Sequence, residues 1–421
     1  MKLNVDIEVS GENIFVGTID GTNSNDARFT YDFNYVDNGC KPISVNLPLS
    51  EEPFSPGKTR LYFEGLLPEG FTKSAVASML RVNDDDYISV LSSLGKEVLG
   101  AIRVYSDADS ESSIDYKELD VDEVKKLASE GAGKSAELVV KSHLSLAGAT
   151  GKVGLFYDGN NDKWLLPLGT APSTHIVKQS HVRLRNIVVN EQLMLMTSKK
   201  LGIDVCESSI INLGDYSDSN ILLATKRYDR LMDDDSKTLN HLKIPYRLHQ
   251  EDFAQACGIS SNLKYEKPGD DYLAMMFDVI KKYSSNPIED QQKLWKIVIF
   301  NYLVGNNDGH IKNYSLLHNK DMSTLRLAPA YDLLSTVIYD ESARDMAFNI
   351  GGEYNLDKIN RENFNAESKK LNLSNKLLLE HFDYMKADIK KALTLSAEEL
   401  CDLGYTVADD IKNTVIERRG L

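Results

Sequence analysis

Apolar residues occupy every second position through much of the first hundred residues. The alternating rows cover residues 3–9, 15–19, 29–35 and 43–47. A period of two is typical of strands that bury one face of a sheet, so the pattern predicts an antiparallel sheet at the amino terminus. A helix is predicted at 71–81 and one more strand at 98–102.

The spacing changes beyond residue 105. An acidic, serine-rich stretch at 106–116 is interpreted as a linker. Strand-like segments then surround one predicted helix at 190–201, which Gly202 ends. Those segments are 153–157, 164–168, 175–178 and 221–228. From Glu251 onward apolar residues recur at helical spacing, for example at 288–304, and a capping-box sequence at 396–399 predicts the start of a helix.

Composition narrows the possible functions. The 421 residues include 48 Lys and Arg against 63 Asp and Glu, which gives a net charge of −15. A surface this acidic repels phosphate backbones, so a broad nucleic-acid-binding face is not expected. The four cysteines are far apart with no metal-binding spacing, and neither a signal peptide nor a long apolar run is visible. We therefore expect a protein of a reducing, cytoplasmic compartment that does not enter a membrane.

The best candidate chemistry follows the predicted helix at 288–304. Asp308 and Asn313 are separated by four residues, and Asp332 lies 19 residues further on. Phosphoryl transfer needs a carboxylate that deprotonates the attacking hydroxyl, and oxygen ligands that hold Mg²⁺ against the phosphates. Asp308 is interpreted as the base, and Asn313 and Asp332 as the metal ligands. The alternative is a polar turn that caps a helix.

Segments upstream are compatible with phosphate binding. A loop of small residues ends at Gly151 and Lys152, and Lys178 closes a short apolar strand. Glu191, near the predicted start of the next helix, could orient Lys178 in an ion pair of the kind that kinases use. The alternatives are a surface turn, a solvated lysine and a carboxylate at a helix start.

Taken together, these segments resemble the HipA-type serine/threonine kinase toxins of bacterial toxin–antitoxin systems. The resemblance covers nearly the whole chain and rests on six motifs. They are Leu66-Leu-Pro-Glu-Gly70, Ser145-Leu-Ala-Gly-Ala149 with Lys152, Thr174-His-Ile-Val-Lys178, His249-Gln-Glu-Asp-Phe-Ala-Gln255, Asp308-Gly-His-Ile-Lys-Asn313 and Tyr331-Asp332. It implies an α+β, two-lobed protein-kinase-like (HipA/PI3K-like) core. The expected parts are a β-rich, antitoxin-facing subdomain at 1–105, a kinase N-lobe at 106–228 and an all-helical C-lobe at 229–421.

The resemblance also implies the cofactors ATP and Mg²⁺. The residues that would bind ATP by this resemblance are Ala147, Gly148, Ala149, Thr150, Gly151, Lys152, Lys178, Lys226, Arg227, Tyr228, Asp229, His310, Lys312 and Tyr331. Residues 226–228 would form the hinge to adenine, and Asp229 could reach the ribose. The chain departs from the family pattern at Thr150 and Gly151, and at Lys226, where an acidic residue is often found.

Regulation and partners are implied in the same way. Ser145 resembles the loop serine whose autophosphorylation silences these kinases, and the added charge would favour an ejected loop whose phosphate pairs with cations such as Lys312. The implied partners are a helix-turn-helix antitoxin dimer, operator DNA held mainly through that antitoxin, and a protein substrate such as glutamyl-tRNA synthetase.

Two other readings stay open on the residues alone. One is a small-molecule kinase, because such enzymes share the Asp/Asn/Asp set. The other is a non-catalytic co-repressor, although Lys178, Asp308, Asn313 and Asp332 are all present. A metal hydrolase is not supported, because His241 and His249 lie eight residues apart without an HExxH motif.

Overall fold

The computed structural model describes residues 1–109, 113–130, 132–143, 145–147, 151–180 and 184–421. The amino-terminal part contains β1 (Lys2–Val9), β2 (Glu12–Asp20), β3 (Arg28–Tyr31), α1 (Phe33–Asp37), α2 (Pro56–Phe63), α3 (Gly70–Leu80), α4 (Tyr87–Leu94) and β4 (Ile102–Tyr105). Its four strands form an antiparallel sheet in the order β3-β2-β1-β4. Leu3, Val5 and Ile7 are fully buried, as their alternation predicts.

One predicted strand of this region is too long, and another does not form a regular strand. The row at 29–35 remains a strand only to Tyr31, because the Asp32 side chain accepts the Asn34 N–H at 2.9 Å and starts helix α1. The row at 43–47 forms an isolated bridge between Ser44 and Leu47. Helices α2 and α4 were not predicted from the pattern, and they pack with α3 against the buried face of the sheet.

The second part is built on a six-stranded antiparallel sheet. Its elements are β5 (Ile114–Glu118), α5 (Val121–Glu130), α6 (Ala132–Ser142), β6 (Lys152–Asp158), β7 (Lys163–Gly169), β8 (His175–Gln179), α7 (Ile187–Lys200), β9 (Ser208–Asn212) and β10 (Ile221–Lys226). The strand order is β5-β7-β6-β8-β10-β9. Strand β5 begins inside the stretch interpreted as a linker, so that interpretation is wrong from residue 114 onward.

The third part is mainly helical, but the expectation of an all-helical C-lobe at 229–421 is wrong because short strands lie between its helices. It contains β11 (Arg230–Leu231), β12 (Thr238–Leu239), β13 (Leu242–Lys243), β14 (Tyr246–Arg247), β15 (Gln250–Asp252), α8 (Phe253–Cys257), α9 (Tyr272–Tyr283), α10 (Pro287–Val304), β16 (Ser315–His318), β17 (Leu325–Leu327), β18 (Asp345–Ile350), β19 (Glu353–Asn355), α11 (Arg361–Lys370), α12 (Asn375–Asp402) and α13 (Val407–Arg419). The largest core cluster joins α7, α9, α10 and α12 around the fully buried Trp295.

Helix α12 corrects one prediction at its carboxyl end. Ser396 does not begin a helix, because it lies inside α12, is fully buried and donates its hydroxyl to the carbonyl of Ala392 at 2.9 Å. Across the described part of the chain, no helix has both the length and the hydropathy needed to cross a bilayer.

A buried ionic cluster holds the three parts together. It consists of Glu97, Arg227, Asp229, Arg230 and Arg247. The Glu97 carboxylate, from the amino-terminal part, accepts hydrogen bonds from Arg227 at 3.0 Å and from Arg230 at 2.8 Å. Buried charges persist in a fold only when they are paired in this way. The cluster therefore ties the first sheet to the chain segment that leaves β10.

Candidate active site

A cavity of about 1350 Å³ is lined by residues of all three parts of the fold. Strands β6 and β8 contribute Lys152 and Lys178, and helix α7 contributes Glu191. Asp308 and Asn313 come from the segment after α10. Asp332, His310 and Gly151 line the same cavity. The volume exceeds the 300–1,000 Å³ typical of ligand sites, so there is room for a nucleotide and part of an acceptor.

Lys178 forms the centre of the charged group in this cavity. Its ammonium group donates to Glu191 Oε1 at 2.7 Å and contacts Asp332 Oδ1. Burial alone would lower the pKa of Lys178, but the two carboxylates outweigh burial and raise it. Lys178 in turn holds the pKa of Asp332 well below its usual range despite burial. The ammonium group is therefore charged at any physiological pH.

Glu191 lies further inside its helix than the sequence predicted. Helix α7 begins at Ile187, so Glu191 lies in its second turn and is not a carboxylate at a helix start. The side chain is buried, and burial raises its pKa even though Lys178 opposes this shift. Its position is compatible with the predicted ion pair, and its role in orienting Lys178 stays a prediction.

A sharp helix end positions the segment that contains Asp308. Helix α10 stops at Gly305, whose φ of +69° is in the left-handed region, and a Cβ there would lie 2.4 Å from Val337 Cγ1. The chain then turns back, and the Asn313 amide nitrogen donates to the Asp308 carbonyl at 2.8 Å. Because only the nitrogen of the amide can donate to a carbonyl, Asn313 Oδ1 is left as an acceptor.

Asp332 adopts an unusual backbone conformation. Its φ is +55°, which non-glycine residues seldom adopt. The preceding residue is fixed, because the Tyr331 hydroxyl donates to the Lys312 carbonyl at 3.0 Å and lies 2.6 Å from the hydroxyl of Ser315. Strained backbone of this kind is concentrated at functional sites. Here it accompanies a carboxylate that contacts Lys178 in the cavity.

Two of the residues that line the cavity suit a magnesium ion that is shared with phosphates. Mg²⁺ prefers oxygen ligands and is often held by one or two carboxylates together with substrate phosphates. Asp332 offers a carboxylate, and Asn313 offers an amide oxygen. Within the described ranges, no group of three His, Cys, Asp or Glu side chains forms a complete metal site. A donor set of one carboxylate and one amide oxygen fits an ion that is also held by phosphates.

Two buried polar atoms at the cavity lack a protein partner in the described part of the chain. They are His310 Nδ1 and Asn307 Oδ1, and both residues line the cavity. Burial lowers the pKa of His310, which favours the neutral form of the ring. A buried polar atom normally has a hydrogen-bond partner. A polar ligand in the cavity would supply one.

The predicted hinge residues lie elsewhere. Lys226, Arg227, Tyr228 and Asp229 do not line this cavity. The Asp229 carboxylate belongs to the buried ionic cluster, where it accepts from Arg227 at 2.7 Å and from the Gly100 N–H at 2.7 Å. The expectation that this side chain reaches a ribose is therefore corrected, because its oxygens are already satisfied inside the protein. Lys226 is exposed and pairs with Glu207 at 3.0 Å.

Lys312, Tyr331 and the hinge residue Tyr228 are not among the residues that line the cavity. Lys312 is buried and pairs with Asp252 at 2.7 Å and with Glu69 at 3.5 Å. The rings of Tyr228 and Tyr331 stack with their centroids 5.8 Å apart. The structure does not bring these three side chains to the cavity surface. Lys312 already pairs with two carboxylates, and its expected pairing with a phosphate stays a prediction.

Ser145 is fully buried in this structure. Its N–H donates to the Glu97 carbonyl at 2.7 Å, and its hydroxyl donates to the Leu66 carbonyl at 2.8 Å. Ala147 is half-buried. Three of the predicted phosphate-loop residues, Gly148, Ala149 and Thr150, lie outside the described residues.

Sequence reasoning missed several residues of this site. Lys264, Tyr265 and Glu266 line the cavity, and the Tyr265 hydroxyl contacts Asp308 Oδ1. Their segment has no helical or strand period, and its 43-residue distance from Asp308 carries no spacing signal. Glu97, which bonds both Ser145 and Arg227, was also not predicted.

Comparisons with known proteins place the chain in a family. A model of the HipA-like C-terminal domain matches residues 144–393, and a model of the HipA N-terminal domain matches residues 7–105. The Y4mE protein of Sinorhizobium fredii is 30% identical over 92% of this chain and 91% of its own length. The serine/threonine-protein kinase toxin HipA of Shewanella oneidensis is 27% identical over 84% of this chain and 80% of its own.

A solved structure shows the same fold. It is the Shewanella oneidensis MR-1 complex of HipA, HipB and operator DNA, and the matching chain superposes with a TM-score of 0.79 at 22% identity. The match covers 99% of this chain and 96% of the other. It confirms the predicted α+β kinase-like fold.

Proposed function

Because the chain belongs to the HipA family, we propose that it is an ATP- and Mg²⁺-dependent protein serine/threonine kinase that acts as the toxin of a toxin–antitoxin pair. The observation that carries the proposal is the convergence of Lys178, Asp308, Asn313 and Asp332 on one cavity. These are the groups that phosphoryl transfer needs, and they come from widely separated parts of the sequence.

Each residue has a distinct proposed task. Lys178 offsets the negative charge of the phosphates, and Glu191 holds its ammonium group at 2.7 Å. Asn313 and Asp332 offer oxygen ligands to the metal. Asp308 accepts the proton of the acceptor hydroxyl while that oxygen bonds to phosphorus and ADP leaves with the electrons of the broken bond. Mg-ATP supplies the phosphoryl group and the charge that stabilises its transfer.

Ser145 is proposed as a regulatory phosphorylation site. Its hydroxyl and N–H are both engaged inside the protein, at the carbonyls of Leu66 and Glu97. A phosphate adds a charge of about −2 and three oxygens that cannot remain beside a carbonyl in a buried position. Phosphorylation would therefore expel this segment and disrupt the neighbouring phosphate-binding loop.

The proposed partners are an antitoxin like the HipB of the Shewanella oneidensis complex, and operator DNA bound through it. The net charge of −15 favours this arrangement, because the antitoxin would supply most of the phosphate contacts. The proposed substrate is a component of translation, such as glutamyl-tRNA synthetase, on the strength of family resemblance.

The proposal is tested by transfer of labelled phosphate from Mg-ATP in a cell extract. Wild type should label protein bands, and Asp308→Asn and Asp332→Asn should each lower the rate by roughly 10²-fold or more. Asp278→Asn, which changes an exposed carboxylate on α9, should retain activity. Equal labelling by wild type and Asp308→Asn would reject Asp308 as the base. Label on metabolites in place of proteins would indicate a small-molecule kinase.

A further inference from the structure

A tyrosine hydroxyl contacts the carboxylate that is proposed as the catalytic base. Tyr265 lies between α8 and α9, and its hydroxyl contacts Asp308 Oδ1. A carboxylate can only accept, so the phenol is the donor. Burial and the neighbouring Asp308 raise the pKa of Tyr265, which keeps the phenol protonated. This is the hydrogen bond that the hydroxyl of an acceptor serine must make in order to be deprotonated.

The backbone on both sides of Tyr265 is anchored. The Lys264 ammonium group pairs with Glu69 of the amino-terminal part at 3.2 Å. The Glu266 carboxylate accepts from the Tyr272 N–H at 2.7 Å and from the Tyr354 hydroxyl at 2.7 Å, and its own N–H donates to the Ala347 carbonyl at 2.9 Å. The phenol is therefore presented to Asp308 by a fixed segment and not by a chance surface contact.

The side chain of Tyr265 can rotate away from Asp308. Tyr265 is 45% exposed, although its neighbours anchor the backbone. Its ring meets His310 edge-on, with the centroids 5.3 Å apart. A rotation about the side-chain bonds would release Asp308 without unfolding the segment, because rotamer changes of exposed residues are fast.

We propose that Tyr265 is an acceptor gate: its hydroxyl occupies the place of the acceptor hydroxyl on Asp308 and must be displaced before phosphate is transferred. The inference rests on the proposed function, because it takes Asp308 as the base. The same contact also keeps water from that position on Asp308. The gate thus suppresses hydrolysis of ATP and favours acceptors that bind strongly enough to displace the phenol.

The test compares Tyr265→Phe with Tyr272→Phe. The first variant removes the hydroxyl from Asp308 and keeps the ring against His310. The second removes a hydroxyl that anchors the same segment, at the Leu263 carbonyl (2.6 Å), but does not touch Asp308. Each protein is incubated with labelled Mg-ATP. Phosphate release is measured without an acceptor, and incorporation of label is measured with dephosphorylated casein as a generic serine acceptor. Melting curves confirm that both variants are folded.

The gate predicts a specific pattern. Tyr265→Phe should raise both hydrolysis and casein labelling roughly tenfold, which corresponds to about 1.4 kcal/mol. The KM for casein should fall, and the KM for ATP should not change. Tyr272→Phe should behave as wild type in all three measurements. If Tyr265 had a purely structural role, Tyr265→Phe would lower the rates, or both variants would change them alike.

Three results would overturn the gate. If wild type transfers phosphate and Tyr265→Phe is no faster, the gate is wrong and the proposed function stands. If mass spectrometry finds phosphate on Tyr265, the phenol is an acceptor and not a competitor. If wild type and Asp308→Asn are equally inactive with Mg-ATP in the cell extract, the proposed function fails and the gate fails with it.

Discussion

Lys152 and Lys178 lie directly opposite each other on the antiparallel strands β6 and β8. Directly paired residues present their side chains to the same face of a sheet, with Cβ atoms about 5 Å apart, and like charges there are destabilising. Lys178 is compensated by Glu191 and Asp332, whereas burial and then Lys178 itself lower the pKa of Lys152 despite the opposing effect of Asp332. This strand pair therefore concentrates positive charge at the cavity.

Replacing Lys152 should make the protein without nucleotide more stable and should weaken its stabilisation by Mg-ATP. Without nucleotide, Lys152→Gln should raise the free energy of unfolding by about 0.5 kcal/mol, because the like-charge pair is relieved. The gain in melting temperature on adding Mg-ATP should shrink. Lys163→Gln on β7, which loses an exposed pair with Glu118 at 2.8 Å, is the matched control and should leave the Mg-ATP effect unchanged. A lower melting temperature for Lys152→Gln without nucleotide would contradict this view.

Replacing Lys178 should lower the free energy of unfolding more than replacing Glu191. Lys178→Met leaves Glu191 and Asp332 without their shared cation, and breaking a buried ion pair from one side costs about 3–5 kcal/mol. In Glu191→Gln the lysine still pairs with Asp332, so the loss should be clearly smaller. Urea unfolding of both variants measures the difference. Equal losses would show that Asp332 contributes little to holding Lys178.

The buried ionic cluster should contribute far more to stability than an exposed pair. Glu97 is 1% exposed, and its interactions with Arg230, Arg247 and Arg227 lower its pKa to about 2 in spite of burial. Glu97→Gln should cost about 3–5 kcal/mol of unfolding free energy, because three guanidinium groups lose their carboxylate. Glu207→Gln, which loses only the exposed pair with Lys226, should cost less than about 1 kcal/mol. Chemical denaturation of both variants measures these losses of unfolding free energy. Losses of similar size would contradict the prediction.

Glu251 should make stability fall as pH rises. It is buried on β15, where it accepts from the Ser44 hydroxyl at 2.6 Å and the Val45 N–H at 2.9 Å, and burial raises its pKa to about 7. Between pH 4.5 and 7 the folded state holds a proton that the unfolded state has lost, so ionisation lowers the free energy of unfolding as pH rises. The full effect is roughly 3 kcal/mol.

Glu251→Gln removes this titration. Its stability relative to wild type should increase by roughly 3 kcal/mol between pH 4.5 and pH 7.5, as measured by urea unfolding at several pH values. Glu341→Gln, which changes an exposed carboxylate, is the control and should show the same pH dependence as wild type. A parallel pH profile for wild type and Glu251→Gln would mean that Glu251 does not titrate in this range.

The sequence by itself determined the features that depend on local geometry. Alternation placed Leu3, Val5 and Ile7 on the buried face of a strand. Helical spacing located the end of α10 just before Asp308, and Gly202 marked the end of α7. These predictions succeeded because apolar period and glycine conformation report the backbone directly. The same reasoning failed at 29–35, because Asp32 caps a helix inside the alternating row.

Only the tertiary structure decided which charged groups meet. Tyr265 reaches Asp308 across 43 residues, and Glu97 reaches Arg227 across 130. Neither pair has a spacing that a pattern could reveal, because a polar side chain satisfied inside the protein and one facing water look alike in the sequence. Burial forces each charge to find a partner, and the folded chain determines which partner is near.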